Sequence, residues 1–582
     1  MNKEDNKKIK QEREKWEENC VVPTMQKYRL KENPSRFYTP EDVKDFDFLE
    51  KVGFPSQYPF TAGNDTIPRW QAFAKKQAMA STKVEFGASS GSRYAGFGIA
   101  EDYRDYLIKM HQIGSKGGPT IAMDLPTQCG FDSDDPRAAG EIGKVGVAID
   151  SFKDFEIIYE PYVGELEIDK ISSNYTINAP ACVFYAMYVA LAQKRGIPLD
   201  KLRFTPQNDI LKEFVSRGTY IFPPRPSMRL FRDILVFCTE NLPRANITSI
   251  GGYHMREAGA SRNQDLAFSM SIAAAYLQEG INAGLDIDSF APRFSYNAFG
   301  GSMEIYKEIA FQRAARRFYA RLLKERFGAK NPRSMLIRSV MGAHIGCSST
   351  TLQRPINNLT RAVIGGLAGG MSGYIPFVYP PYDEPLGLGH SRESIQLVND
   401  ASRILIYEAR LGDVLDPWAG SYFMESLTDE IENTAQKEFD KIDKMGGFVT
   451  AIENGYIQKE ISQSAHAKQK RIENQEDFIV GVNCFNGPNE LDVKTPLNIE
   501  DVYPTELKES AEQRQKEKLI KLKEERDNKL VTQNLKKLKE TAADESKSVM
   551  PDILECVKSY ATLQEICDVF REVFGEHKPV TL

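Results

Sequence analysis

The chain has 582 residues, 41% hydrophobic and 27% charged, with a formal net charge of −6. That length exceeds one ordinary domain and suits a large barrel with appendages. The mild negative charge gives no footprint for nucleic acid, and no apolar run reaches a membrane span, so neither partner is expected. The N-terminal run MNKEDNKKIKQEREKWEENC lacks the apolar core of a secretory signal and is too acidic for a transit peptide. Eight cysteines stand singly with no C-x-x-C, which reads as reduced thiols in a cytoplasmic protein. Six histidines are too dispersed for a metal cluster, so no metal is expected on this chain.

Three zones follow in chain order. Residues 1–92 form an irregular N-terminal extension rich in proline, aromatics and charge. Residues 93–480 alternate apolar strand-like runs with helical stretches. The expected strands are Thr120–Asp124, Val145–Ile149, Ile171–Ile177, Leu202–Thr205, Ile247–Gly252, Phe290–Tyr296, Ser334–Val340 and Gly373–Val378. Helical patterns fill the gaps at Ala181–Lys194, Ser227–Glu240, Gln264–Gly280, Ser302–Phe327 and Ile356–Gly369. This order predicts an α/β fold with parallel strands and crossover helices, and eight such units predict a TIM (β/α)8 barrel over an open sheet. Residues 481–582 are charge-dense and mostly helical. KLIKLKEERDNKL there reads as a solvated helix in preference to one docked on a partner.

Catalytic groups of such barrels sit at the C-terminal ends of strands. Here those ends read Asp124-Leu-Pro-Thr-Gln128, Thr176-Ile-Asn178, Thr205-Pro-Gln207-Asn208-Asp209, Tyr253-His254 and Pro292-Arg293. His254 suits hydrogen bonding to a developing charge on a carbonyl oxygen. A lone histidine is more often structural, but its place beside Tyr253 at a strand end favours the site. Arg217 in QNDILKEFVSRGTYIFPP could hold a carboxylate or phosphate in its fork, or lie on a helix surface. Arg229 and Arg293 carry the same two readings. No P-loop, G-x-S-x-G or Rossmann fingerprint occurs.

Longer motifs carry more. RYAGFGIAEDYRDYL from Arg93, DLPTQCGFDSDDPRAAGEIGKVGVAIDS from Asp124, TPQNDILKEFVSRGTYIFPPRPSMR from Thr205 and GGYHMREAGA from Gly251 resemble methylmalonyl-CoA mutase large subunits, as do FAPRFS, FGAKNPRSM and DPWAGSYFMESLT further on. The resemblance implies a TIM barrel that buries acyl-CoA along its axis. It also implies adenosylcobalamin as cofactor and a radical rearrangement in which the thioester migrates. The family's cobalt-ligating D-x-H-x-x-G motif is absent from this sequence. A separate small cobalamin-binding subunit, in a hetero-oligomer, is therefore expected to supply the cobalt ligand. By the same resemblance His254, Tyr253 and Tyr94 are catalytic. Arg217, Thr176, Thr205, Gln207, Arg293 and Gln128 contact the acyl-CoA, while Glu257, Glu384 and Leu125 face the cobalamin or its adenosyl group.

Tyr94, Arg217 and Ala122 follow the family pattern for a free carboxylate on the acyl group, and an unpaired buried arginine is costly. The expected reaction is rearrangement of methylmalonyl-CoA, succinyl-CoA or a substituted relative. The alternatives are a mutase for a neutral branched acyl-CoA, of isobutyryl or 2-hydroxyisobutyryl type, and a non-catalytic partner chain. Three stretches depart from the family: Asp65–Ser92, RSVMGAHIGCSST from Arg338 with His344, and Tyr379–Glu384. They fit either a bulkier acyl chain or ordinary loop divergence.

Overall fold

A computed structural model describes residues 3–33, 37–43, 46–67, 97–112, 116–297, 300–339, 344–386, 391–487 and 505–580. Strands β1 (Thr120–Ala122), β2 (Ser173–Thr176) and β3 (Phe204–Pro206) pair in parallel, with Thr120 opposite Asn174 and Asn174 opposite Thr205. β4 (Thr248–Ile250) pairs in parallel with β5 (Phe294–Tyr296), and β6 (Gly300–Gly301) with β7 (His344–Ile345). Asn246 N donates to Phe204 O at 3.0 Å and Ser249 N to Gln207 O at 2.8 Å, which joins β3 to β4. Single parallel bridges extend the run at Ile99–Ala148, Met123–Val147 and Tyr296–Ser339.

The strands are shorter than the sequence suggests. Phe290–Tyr296 begins as helical turns, Ile287–Phe290 and Ala291–Arg293, before β5. Ser334 lies in a 3-10 turn, Pro332–Met335. Gly373–Val378 is irregular, its Pro376 having no N–H to offer a ladder. The observed class is therefore a mostly helical α/β fold with parallel strands, and not a demonstrated ring of eight. The expected helices recur with small shifts, as Ala181–Lys194, Pro224–Asn241, Arg262–Asn282, Ile305–Arg321 and Asn357–Met371. The N-terminal extension is not wholly irregular: Lys3–Trp16 is a helix of strong helix formers.

Two faces of the strands differ. Tyr175 and Phe204 turn outward into an aromatic cluster with Phe155, Phe184 and Tyr188. The alternate residues Asn174, Thr176 and Thr205 are only half-buried. Asn174 Nδ2 donates to Thr120 Oγ1 at 3.4 Å, Asn246 Nδ2 to Thr205 Oγ1 at 2.7 Å, and an Arg338 N–H to Asn246 Oδ1 at 3.1 Å. An ordinary barrel interior is packed with branched apolar side chains. On these parallel strands the corresponding face is a polar belt with accessible surface.

The C-terminal region corrects the solvated-helix expectation. Helix Thr505–Glu525 docks on its own chain, because its charges meet carboxylates that would otherwise be stranded in the interior. Arg514 pairs with Asp102 at 2.8 Å, Lys518 with Asp154 at 2.6 Å, and Gln515 Nε2 donates to Asp150 at 2.9 Å. Helix Met550–Lys558 packs on helix Ala181–Lys194 and covers its outer side, which is why Ala181–Ala192 is buried on every face.

This interface predicts a pH dependence. Burial pushes the Asp132 carboxyl up to about 7 and Asp150 well above the carboxylate range, with Asp132 and Asp154 adding repulsion at Asp150. Each binds its proton more tightly folded than unfolded. The stabilisation is complete below the unfolded value near 4 and is lost as pH rises through the folded values. Limited proteolysis is expected to release the Thr505–Glu525 segment faster at alkaline than at mildly acidic pH, and Asp132→Asn to flatten the difference. Equal rates in the unmodified protein would contradict it.

Helix Ile305–Arg321 carries three fully buried arginines. Arg313 meets Asp416 at 3.0 Å and Glu425 at 2.6 Å. Arg316 donates to Phe60 O, Thr61 O and Ser372 O at 2.7–3.0 Å. Arg317 holds Lys51 O, Asp429 and Glu432. These forks tie segment 51–61 to the central helix.

Candidate active site

Because the strands are parallel, residues following β1 to β5 share one rim. Asp124 caps helix Leu125–Gln128 by accepting from Thr127 N at 3.0 Å, and also accepts from Gly143 N at 2.8 Å. Burial pushes its carboxyl up to about 6. Gln128 donates to Met123 O at 2.6 Å, while its buried Oε1 makes no hydrogen bond. Leu125, at the start of the same turn, is 39% exposed.

The next residues around the rim form one network. Asn178 Nδ2 donates to Gln207 Oε1 at 3.0 Å and to Glu213 Oε1 at 2.7 Å. Glu213 also takes the Lys212 ammonium and, at 2.6 Å, the Thr219 hydroxyl. Asp209 accepts from Gly251 N at 2.8 Å and from the Tyr276 hydroxyl at 2.9 Å. A Cβ on Gly251 would lie 3.3 Å from Lys212 Cε, 3.4 Å from the Tyr253 ring and 3.5 Å from Gln207 Nε2, so these groups converge on one point.

His254 follows that glycine on the short helix Tyr253–Glu257, its ring 3.9 Å from the Tyr253 ring, centre to centre. It lies deep in the protein yet is not wholly covered. Its Nδ1 is buried without a hydrogen bond. Burial, followed by the nearby Lys212 and Arg217 cations, holds the imidazole well below its ordinary pKa. It is therefore neutral at physiological pH, a hydrogen-bond donor without a charge.

Arg217 closes the wide helical turn Glu213–Arg217, which ends on Gly218 at φ 85°. Its NH1 lies 3.8 Å from Glu213 and is buried with no hydrogen bond. An arginine with a free buried N–H next to a neutral histidine can receive an anionic group.

The remaining expectations divide. Thr176 ends β2 near the rim, whereas Thr205 lies within β3 and accepts from Asn246. Arg293 does not sit at a strand end as expected. It precedes β5, at the opposite end, and donates to Cys238 O, Leu242 O and Thr239 Oγ1, where it closes helix Pro224–Asn241. Arg229 is likewise distant, spent on the carbonyls of Thr541, Ala542, Asp544 and Lys547. Glu257 accepts from Ser348 N at 2.7 Å and from its hydroxyl at 3.2 Å, and a Cβ on Gly346 would collide with it. Glu384 opens a 3-10 turn and accepts from the Tyr379 hydroxyl at 3.5 Å. Asn358 ties the two loops by donating to Thr351 O and Tyr382 O. Tyr94 lies outside the described residues, as does the His344 side chain. Sequence reasoning placed Asn178 at a strand end but missed Lys212 and Glu213 as site builders, although both stand within the TPQNDILKEF run.

Residues 29–576 match the family model described as Methylmalonyl-CoA mutase. The chain is 34% identical to the 2-hydroxyisobutanoyl-CoA mutase large subunit of Aquincola tertiaricarbonis, over 98% of this chain and 97% of that protein. It is 37% identical to the mitochondrial methylmalonyl-CoA mutase of Mus musculus over 84% of this chain, and 36% identical to the Escherichia coli (strain K12) methylmalonyl-CoA mutase over 83%. It spans 63% and 65% of those two longer proteins. The relatives are acyl-CoA mutases, isomerases of a coenzyme B12-dependent kind. The chain belongs to the methylmalonyl-CoA mutase family.

Proposed function

We propose that this chain is the large, substrate-binding subunit of an adenosylcobalamin-dependent mutase for a carboxylate-bearing acyl-CoA of methylmalonyl, succinyl or substituted succinyl type. The observation that carries the reading is Arg217, whose buried NH1 lacks a hydrogen-bond acceptor beside neutral His254. The half-buried polar belt of Thr120, Asn174, Thr205 and Asn246 supports a closed (β/α)8 barrel with a passage along its axis for the acyl-CoA. The division into a 1–92 extension, a 93–480 barrel and a 481–582 helical region belongs to the same reading.

The rim fits a large cofactor with an apolar face: Leu125 is exposed there, and Glu257 is held at the edge by Ser348. Adenosylcobalamin bound there would supply the radical chemistry of the rearrangement. The chain's own residues do the rest. Arg217 holds the acyl carboxylate, Gln207 and Thr176 line its path, and neutral His254 donates to the thioester oxygen without giving up its proton. Tyr253 backs the imidazole, and the enclosing strands keep water from the reacting atoms. A small cobalamin-binding subunit in a hetero-oligomer would supply the cobalt ligand. The free cysteines and the lack of a described helix long and apolar enough to cross a membrane fit a cytoplasmic setting.

A second reading is favoured by the Aquincola relative, which matches end to end: a neutral hydroxylated acyl-CoA. Turnover decides between them. The chain is combined with a small cobalamin subunit and adenosylcobalamin, then given succinyl-, methylmalonyl-, isobutyryl- and 2-hydroxyisobutyryl-CoA. Carboxylate esters are expected to react, and Arg217→Gln to lower their kcat/KM by about 10²-fold or more, as for loss of a charged hydrogen bond that leaves its partner buried. Activity confined to neutral esters and indifferent to Arg217→Gln would establish the second reading.

A further inference from the structure

We infer that a cleft on the flank of the rim binds a phosphate-bearing anion, independently of the acyl-CoA reading. The cleft, of about 1070 Å³, lies between segments 256–262, 301–307, 348–361 and 468–480. Arg256, Arg262, Lys307, Arg361, Lys468 and Arg471 line it against three carboxylates, Glu304, Glu476 and Asp477. That is a local excess of positive charge on a chain whose net charge is −6.

Part of this charge is compensated and part is not. Lys307 pairs with Glu304, Arg471 with Asp477, and Arg262 with Glu304 and Glu308. Arg361 is 7% exposed, and its bonds all go to uncharged acceptors: Thr351 Oγ1 at 3.0 Å, Asn358 Oδ1 at 2.8 Å and Val480 O at 3.0 Å. Arg256 meets Glu308 through NH2, but its buried NH1 makes no hydrogen bond, and the Asp265 carboxyl stands 3.8 Å away. Lys468 is exposed on the lip with no bonded carboxylate among the described residues.

A nearly buried guanidinium with no carboxylate partner, as at Arg361, is costly unless an anion visits it. The start of helix Arg262–Asn282 and the first turn of helix Asn357–Met371 open on the same cleft and add their positive ends. Two apolar side chains also stand open among these charges, Phe478 at 69% exposed and Met303 at 39%. A planar base can lie on Phe478 while its phosphates reach Arg256, Arg361 and Lys468, so the ligand class is a nucleoside polyphosphate.

Calorimetric titration of the full chain, with inorganic pyrophosphate and then with ATP, tests this. One saturable, salt-sensitive site per chain is expected. Lys468→Gln should weaken both probes, Arg361→Gln should weaken them about tenfold or more, and Phe478→Ala should weaken ATP alone. Lys468 is exposed, so its variant tests the site even where the buried Arg361 variant fails to fold. Absence of saturable binding would overturn the assignment. So would affinity unchanged in Lys468→Gln together with one-for-one displacement by coenzyme A, which would put the anion in the acyl-CoA passage. Equal Phe478→Ala effects on both probes would overturn the nucleotide class.

Discussion

Replacing His254 with alanine is expected to lower kcat by about 10²–10³ with KM little changed, because its hydrogen bond matters most as charge grows on the thioester oxygen. Stopped assays of the reconstituted enzyme measure it. His254→Gln should recover part of the loss, since an amide can donate the same bond. A pH profile separates this role from a structural one. Burial, then Lys212 and Arg217, keep the imidazole neutral through the physiological range. The unmodified enzyme should therefore show no histidine inflection between about pH 6 and 8. An inflection in that window that vanishes in His254→Gln would mean the ring acts charged and would sink the role assigned to it.

Replacing Arg313 with methionine is the largest expected loss of stability. Arg313 is fully buried, and Asp416 and Glu425 depend on its fork. Burial already raises the pKa of both carboxyls, with Arg313 opposing it. Removing the cation alone strands two buried acids, at a cost of about 3–5 kcal/mol. Urea unfolding should show the midpoint fall. Adding Asp416→Asn and Glu425→Gln to the same chain should restore much of it, because an uncharged trio of similar shape needs no compensation. A single substitution with an unchanged midpoint would mean that water or rearrangement solvates the acids.

Much of this was legible in the residues. Helix ends were close where the apolar pattern is dense, as at Ala181–Lys194, which forms with the bounds the sequence suggested. The rim was legible because polar runs follow apolar ones at β1 to β4. The strands were misjudged because few residues of each run enter a ladder, so Phe290–Tyr296 read as one element although half of it is helical turn. Arg293 was misplaced for the same reason. Lys212 and Glu213 passed unnoticed because adjacent opposite charges on a helix normally face solvent, and only the fold puts both in the interior. The helix Thr505–Glu525 misled in the same way, since its partners lie hundreds of residues upstream.

That separation bears on how the chain comes to be folded. Arg514 meets Asp102 across 412 residues, and Arg571 donates to Gly130 O across 441. A chain emerging from the ribosome makes the acidic wall well before its basic cover. Until then Asp132, Asp150 and Asp154 remain wet, and the segments around them lack their final packing. The first strands therefore wait for residues 505–571, and the interval is one in which a chaperone would find the β1–β3 sheet uncovered.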